Sequence, residues 1–293
     1  MCAVLTAESG DTEKIAEIIT ECLRMKILVL PPNINESFSN FTVIKGETVQ
    51  DDKIRFGLNT IKNLGYDISK AIIDERKQSG KYTSFSNFLE RVDHKNLNKK
   101  SLESLIKSGA LDTFEERGKL LGNVENALKY NKYIVKQKGS KQTSLFGESA
   151  ESTLLSFQIK DSPAVKNEEM LAWEKELLGL YISGHPLDAY REKIEKNGIT
   201  IKQLLENARE NTVAIITGII EESKEIMTKK GEQMAFGKIA DFTGALEIVL
   251  FPAIFLKYKN IIRTESCVVV KGKVSHRNGN ISLLVDAVKK MTE

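Results

Sequence analysis

The sequence predicts a multidomain α+β protein in which a helical domain is followed by a linker, a further helix and a β-barrel. Two changes of pattern predict this order. Apolar side chains recur at helical spacing along residues 54–138, whereas from Val213 onward they alternate with period two among β-branched residues. Five predicted strands with one helix between the third and the fourth give the order of an OB-fold barrel.

Composition allows several folded domains and argues against some classes of protein. The chain has 293 residues, of which 41% are apolar and 28% charged, and its net charge is +3. Cys2, Cys22 and Cys267 are far apart, which argues against a zinc site or a disulfide framework and favours the cytoplasm. No apolar run approaches a membrane-spanning length, and the opening MCAVLTAESG resembles the middle of a domain, so we expect part of a longer protein.

Residues 1–53 are predicted to combine one helix with short extended pieces. Asp11 or Thr12 can cap a helix that carries Ile15 and Ile19 on one face. The run ILVLPP at 27–32 predicts a short buried strand that the prolines end.

Residues 54–138 are predicted to contain two helix-turn-helix pieces, which together form a tandem helix-hairpin-helix domain. The first turn is Asn63-Leu64-Gly65, and the second is Ser108-Gly109-Ala110. Ser84 can cap the helix that begins at Phe85, and Thr113 and Glu116 have the spacing of a capping box.

Each of these turns can bind a phosphate, because backbone N–H groups point outward where a helix begins. Gly65 would allow a positive φ and close approach of the ligand. Two such turns with basic neighbours would hold duplex DNA through its phosphates without reading bases. The alternative is a pair of ordinary helical hairpins with glycine caps. The predicted DNA-binding residues of this domain are Lys62, Asn63, Gly65, Lys70, Lys99, Lys100, Lys107 and Gly109.

Residues 139–165 have the composition of a linker, and residues 166–210 are predicted to form a helical connector. Leu145 and Phe146 stand side by side within the linker, in the run GSKQTSLFG. Two large apolar side chains on such a segment either fold back onto a domain or bind another protein.

The predicted barrel spans residues 211–290, with strands at 213–221, 234–241, 245–251, 267–275 and 281–287. Its loops carry cations that could bind single-stranded DNA, namely Lys224, Lys229, Lys230 and Arg277. Phe236, Phe242 and Phe251 are candidates to stack on bases, although a phenylalanine in a strand is more often a core residue. Other OB folds bind RNA, sugars or protein, so the fold alone does not identify the ligand.

No residue pattern in the chain points to catalysis. The sequence has no phosphate-binding Walker loop, no GxGxxG and no pair of strand-borne carboxylates that could hold metal ions. The run Glu174-Lys175-Glu176 is typical of a solvated helix face, and His185 is predicted to have a capping or packing role. We therefore expect no catalytic residue, metal or cofactor in this chain.

Five runs together resemble the C-terminal part of the bacterial replicative DNA polymerase III alpha subunit of the DnaE type. They are GDTEKIAEIITECLRMKILVLPPNINES, IRFGLNTIKNLG, SLIKSGALDTF, QTSLFG and WEKELLGLYISGHPL. The resemblance implies that residues 1–53 end the polymerase fingers domain and that 54–138 bind double-stranded DNA. It also implies that 211–290 lie near the single-stranded template.

The resemblance further implies a partner for the linker, the beta sliding clamp. Gln142, Ser144, Leu145 and Phe146 match the family's clamp-binding pattern. The catalytic aspartates of the family, and the Mg²⁺ they hold, belong to a palm domain upstream of this chain. Nucleotidyl transfer is therefore implied for a full-length protein, and other replisome subunits are further candidate partners.

Two other functions fit parts of the sequence. One is a free-standing adaptor in DNA repair or recombination that joins a helix-hairpin-helix to an OB module. The other is an RNA- or tRNA-binding OB protein, which leaves the run QTSLF unexplained.

Overall fold

The computed structural model describes residues 1–48, 51–139, 157–192, 194, 199–207, 209–277 and 280–291. The chain divides into two compact units, Met1–Ser183 and Gly184–Glu293. The division falls inside the predicted connector 166–210. Among the described helices, none combines the length and the apolar character needed to cross a membrane.

The first unit begins with two helices and a small sheet. Helices α1 and α2 span Cys2–Ala7 and Thr12–Arg24, and the strands are β1 (Val29–Leu30), β2 (Thr42–Ile44) and β3 (Lys53–Arg55). Strand β3 lies in the middle, parallel to β1 and antiparallel to β2. Asp11 caps α2, because its carboxylate accepts a hydrogen bond from the backbone N–H of Lys14. The strand predicted at 27–32 is confined to two residues.

The predicted helical domain is built from a 3₁₀ turn at Leu58–Thr60 and five helices. They are α3 (Tyr66–Ser79), α4 (Phe85–Arg91), α5 (Lys99–Lys107), α6 (Arg117–Gly122) and α7 (Val124–Gly139). The predicted cap at Ser84 is confirmed, since its side chain accepts a hydrogen bond from the N–H of Asn87. One continuous apolar core extends from Leu5 to Leu178, so residues 1–53 and 54–138 share their interior.

Two local predictions for this unit are wrong. Gly65 has φ −70°, and the residue in the left-handed region is Asn63, with φ 68°. Asparagine tolerates that conformation because its short polar side chain can hydrogen-bond locally. Thr113 and Glu116 do not form a capping box. Glu116 is itself the N-cap of α6, where its carboxylate accepts from the N–H of Lys119.

Residues 157–165, the described end of the predicted linker, pack against the helices. Phe157 contacts the rings of Phe85 and Tyr130, with ring centroids 5.7 and 5.6 Å away. Further on, the side chain of Asn123 hydrogen-bonds the backbone of Lys160 in both directions. Composition alone predicts a linker here, because most of residues 139–165 are polar and the one aromatic side chain of the described end, Phe157, does not change that pattern.

Helix α8 (Asn167–Leu178) follows and packs with α5 in the first unit. Gly179 ends it with φ 86°, a left-handed C-cap that suits glycine.

The second unit is a five-stranded closed barrel, as predicted. A 3₁₀ turn at Asp188–Tyr190 and helix α9 (Ile201–Asn207) precede it, and helix α10 (Pro252–Tyr258) separates its third and fourth strands. The strand order is β4-β5-β6-β8-β7, with β6 and β8 parallel and the other pairs antiparallel. The strands are β4 (Val213–Met227), β5 (Gln233–Ala240), β6 (Ala245–Leu250), β7 (Cys267–Arg277) and β8 (Asn280–Lys290), so β4, β7 and β8 are longer than predicted.

Candidate nucleic-acid interface

The first hairpin turn presents an open helix N-terminus. Lys62, Asn63 and Gly65 are all exposed, and Gly65 is the N-cap of α3. Glycine has no side chain to cap the first turn, so the N–H groups there are available to an anion. The exposed Asp67 in the same turn opposes that attraction.

Lys70, one turn further along α3, forms an ion pair with Asp74. The hydrogen bond that the Lys70 ammonium donates to the Asp74 carboxylate raises the pKa of Lys70, which keeps the ammonium charged. Both side chains are more than half exposed, so the pair is screened by solvent and can exchange for a phosphate.

The second turn is built differently, because its glycine is buried. Gly109 has φ 80°, and a Cβ atom placed on it would lie 2.4 Å from Nη2 of Arg117. The Arg117 guanidinium covers the turn while donating to both carboxylate oxygens of Asp112 and to the carbonyl of Lys107. Gly109 therefore contributes the shape of this turn and no exposed surface.

Five consecutive residues of helix α8, Trp173 to Leu177, include contacts with both turns. Lys107 lies over the Trp173 ring, with its ammonium 5.3 Å from the ring centroid. Glu174 accepts from the Arg117 guanidinium at 3.2 Å, and the carbonyl of Leu177 accepts from the N–H of Lys62 at 3.0 Å. The two hairpin turns are thus brought onto one helix that the sequence assigned to a connector.

Lys99 and Lys100 lie at the opposite end of α5 from Lys107. Both are exposed in the first turn of that helix, and eight residues separate Lys99 from Lys107, which is about 12 Å at the α-helical rise. Lys99 is paired with the carboxylate of Glu125 at 3.2 Å. These two lysines therefore form a basic site separate from the second turn.

Glu174 is the residue that sequence reasoning missed. It is 0% exposed, although its neighbours in the sequence suggested a solvated face. One carboxylate oxygen accepts from Arg117 and the other from the N–H groups of Ile182 and Ser183. A signal was present in its spacing, because Glu174 lies between Leu171 and Leu178 on the buried face of α8.

On the barrel, the predicted residues divide between one outer face and one hairpin. Lys224 and Phe236 are paired across β4 and β5 on the outside, and Phe236 is half-buried there. Lys229 and Lys230 are exposed in the turn between the same strands. Two carboxylates, Glu222 and Glu247, share this outer surface, which keeps its charge mixed.

Arg277 lies at the end of β7, and its side chain falls outside the described part of the chain. Phe242 already contacts Arg191, whose guanidinium carbon is 4.1 Å from the ring centroid, whereas Phe251 is exposed at the start of α10. None of the three candidate phenylalanines is a core residue. The clamp-binding candidates Gln142, Ser144, Leu145 and Phe146 lie outside the described residues.

Comparison with known proteins identifies both modules. A helix-hairpin-helix motif model matches residues 26–120, and an OB-fold nucleic acid binding domain model matches residues 214–291. The DNA polymerase III subunit alpha of Borreliella burgdorferi is 38% identical over 293 residues, which is 98% of this chain and 25% of the relative. The same subunit of Thermus aquaticus is 37% identical over 86% of this chain and 20% of its own length.

This chain is a homologue of the DNA polymerase III alpha subunit. The order of its two modules fits the C-terminal part of that subunit, and the resemblance noted from the sequence is confirmed. The chain spans about a quarter of the length of the polymerase III alpha relatives it matches. The structure of a mitochondrial single-stranded DNA-binding protein of S. cerevisiae aligns with 28% of this chain and with 97% of its own chain, at 15% sequence identity. The TM-score of this alignment, 0.25, is too low to support a functional conclusion.

Proposed function

We propose that this chain is the DNA- and clamp-binding region of a replicative DNA polymerase III alpha subunit. The observation that carries the proposal is that a helix-hairpin-helix module is followed by an OB module. Nearly the whole length of this chain, 98% of it, is homologous to part of that subunit. Residues 54–138 would hold duplex DNA, and residues 211–290 would hold the single-stranded template.

The geometry of the first turn supports backbone binding of duplex DNA. An uncapped helix N-terminus with the exposed Lys62 and Lys70 beside it suits phosphate oxygens, which carry no sequence information. Lys107 and the pair Lys99 and Lys100 would add further phosphate contacts along α5. Such contacts release counterions, so binding should weaken steeply as salt is raised.

The barrel suits single-stranded DNA through its outer face, where Phe236 lies beside Lys224. Single strands bind to such faces by stacking of bases and by cation contacts. The mixed charge of this face predicts modest affinity.

The run QTSLF would attach the polymerase to the beta sliding clamp. Leu145 and Phe146 would enter an apolar pocket of the clamp, and Gln142 would hydrogen-bond at its rim. Template-directed synthesis and its Mg²⁺ would belong to a palm domain elsewhere in the full-length protein.

A salt titration of duplex binding tests the proposal. Replacing Lys62, Lys70 and Lys107 with Ala should weaken binding equally for unrelated sequences and should reduce the salt dependence. Replacing two exposed lysines of the α10 region, Lys257 and Lys259, is the control for loss of surface charge elsewhere. If the triple variant keeps the same affinity and the same salt dependence, these lysines do not contact duplex DNA and the proposed role of this domain is wrong.

A further inference from the structure

We propose that the groove between residues 38–42 and helix α3 binds one unpaired nucleotide of a DNA strand that continues from the first hairpin turn. The inference rests on the proposed function, because it places the nucleotide next to the phosphate site at the start of α3. The groove has a volume of about 350 Å³, which is within the usual range for small-ligand sites.

Two exposed aromatic side chains line this groove. Phe38 is 44% exposed and Tyr66 is 61% exposed, so part of each ring is open to solvent. Such rings provide stacking surfaces for bases of any sequence. Tyr66 is also the first residue of α3, so a phosphate at that helix N-terminus would place the adjoining base near its ring.

The wall that carries Phe38 is fixed by buried hydrogen bonds. The guanidinium of Arg76, which is buried, donates to the carbonyls of Ile34 and Ser37 at 2.7 and 2.8 Å. The N–H of Leu58, in the 3₁₀ turn that opens the first hairpin, donates to the carbonyl of Phe38 at 2.8 Å. The groove is therefore preorganised by the hairpin itself, which lowers the entropic cost of binding.

The charges in the groove suit a nucleotide better than an apolar peptide anchor. Lys70 is paired with Asp74, whereas Lys77 has no ion pair among the described residues and lies 5.6 Å from the Phe38 ring centroid. The remaining wall includes the polar residues Ser39, Asn40 and Thr42. The exposed rings can stack on a base, the Lys77 ammonium can contact a phosphate, and the polar groups can contact the edges of the base.

Photocrosslinking with the whole chain tests the inference. The probe is a DNA hairpin with a short single-stranded overhang on either strand and 5-iodo-deoxyuridine at the first unpaired position. We expect crosslinks at Tyr66 or Phe38, and we expect Tyr66→Ala to reduce affinity for the overhang relative to blunt duplex by about tenfold. Tyr66→Phe keeps the ring and should retain the preference, as should Tyr133→Ala, which removes an exposed ring on α7.

The possible results separate this inference from the proposed function. Crosslinks confined to the barrel, or an overhang preference that survives Tyr66→Ala, would overturn the groove assignment even if blunt duplex binds normally. An equal loss for blunt and overhang DNA in Tyr66→Ala would also overturn it. Crosslinks at Tyr66 in a chain that fails to bind blunt duplex would support the groove and contradict duplex binding.

Discussion

Arg117 and Glu174 form a buried ion pair between α6 and α8 and lie 57 positions apart in the sequence. Burial alone would lower the pKa of Arg117, but Asp112 and Glu174 outweigh it and the pKa is raised. The second hairpin turn depends on this pair, because the same guanidinium covers Gly109 and donates to the carbonyl of Lys107.

We expect Glu174→Ala to destabilise the first unit by about 3–5 kcal/mol, because among the described residues it leaves the buried Arg117 charge with Asp112 as its only carboxylate partner. Two N–H groups, those of Ile182 and Ser183, also lose their acceptor. Urea unfolding measures the change. Glu176→Ala, two residues away on the exposed face of α8, should shift the free energy of unfolding by less than about 0.5 kcal/mol. Equal effects of the two substitutions would contradict the importance of the pair.

Gly118→Ala should detach the segment 162–165 from α6. A Cβ atom at Gly118 would lie 2.3 Å from the carbonyl oxygen of Pro163. Because that oxygen belongs to the backbone, no side-chain rotation can relieve the clash. The expected cost of overpacking, about 1–3 kcal/mol, exceeds the helix propensity gained by alanine, about 1 kcal/mol. Limited proteolysis should cut residues 157–165 faster in the variant. Gly10→Ala, where a Cβ atom would meet nothing within 4 Å, should change neither stability nor cleavage.

Glu116 should make stability depend on pH in the acid range. Burial alone would raise the pKa of this carboxyl, but hydrogen bonds from the N–H groups of Gly118, Val165 and Lys119 lower it. Its contribution should therefore be complete above about pH 4.3, the unfolded value, and should be lost as the pH falls through the lower folded value.

The comparison that checks this is urea unfolding of the unaltered chain and Glu116→Gln at pH 7 and near pH 3. The unaltered chain should be more stable at pH 7, and its advantage should shrink in acid. Glu176→Gln serves as the control at an exposed site. A stability difference that is the same at both pH values would rule out this role for Glu116.

The double substitution Leu145→Ala and Phe146→Ala should abolish binding to the sliding clamp. Anchors of this kind commonly cost about 2 kcal/mol each when truncated, so affinity should fall by about a thousandfold or more. Surface-immobilised clamp and thermal melting are the two measurements. Thr143→Ala, within the same run but outside the pattern, should bind normally. Normal binding by the double variant would show that the clamp anchor lies elsewhere, and a much lower melting temperature would identify the two as core residues.

The barrel could be predicted from the sequence because its signal is local. Period-two alternation and the helix after Pro252 specify five strands and their order without knowledge of their neighbours. The cap at Ser84 was predictable for the same reason, because its hydrogen bond joins two residues of the same helix start, Ser84 and Asn87.

The site residues that escaped prediction depend on distant partners. Glu174 resembles a surface glutamate until Arg117, on another helix, is placed beside it. Residues 157–165 read as a linker because the surfaces that receive them, around Gly118 and between Phe85 and Tyr130, lie elsewhere in the sequence. The left-handed residue of the first turn was assigned to Gly65 because glycine favours that region most strongly, although Asn63 takes it.

Because α8 contacts both hairpin turns, the first unit can be completed during synthesis only after α8 has been made. Residues 54–122 leave the ribosome well before Trp173, Glu174 and Leu177, and until then Lys62 lacks its acceptor and Arg117 its buried partner. The nascent hairpins therefore lack both of these contacts until α8 has been synthesised. The unit is complete only when a helix from beyond the run QTSLF has been synthesised. The surface proposed to hold duplex DNA is therefore finished last, by the segment that leads into the barrel.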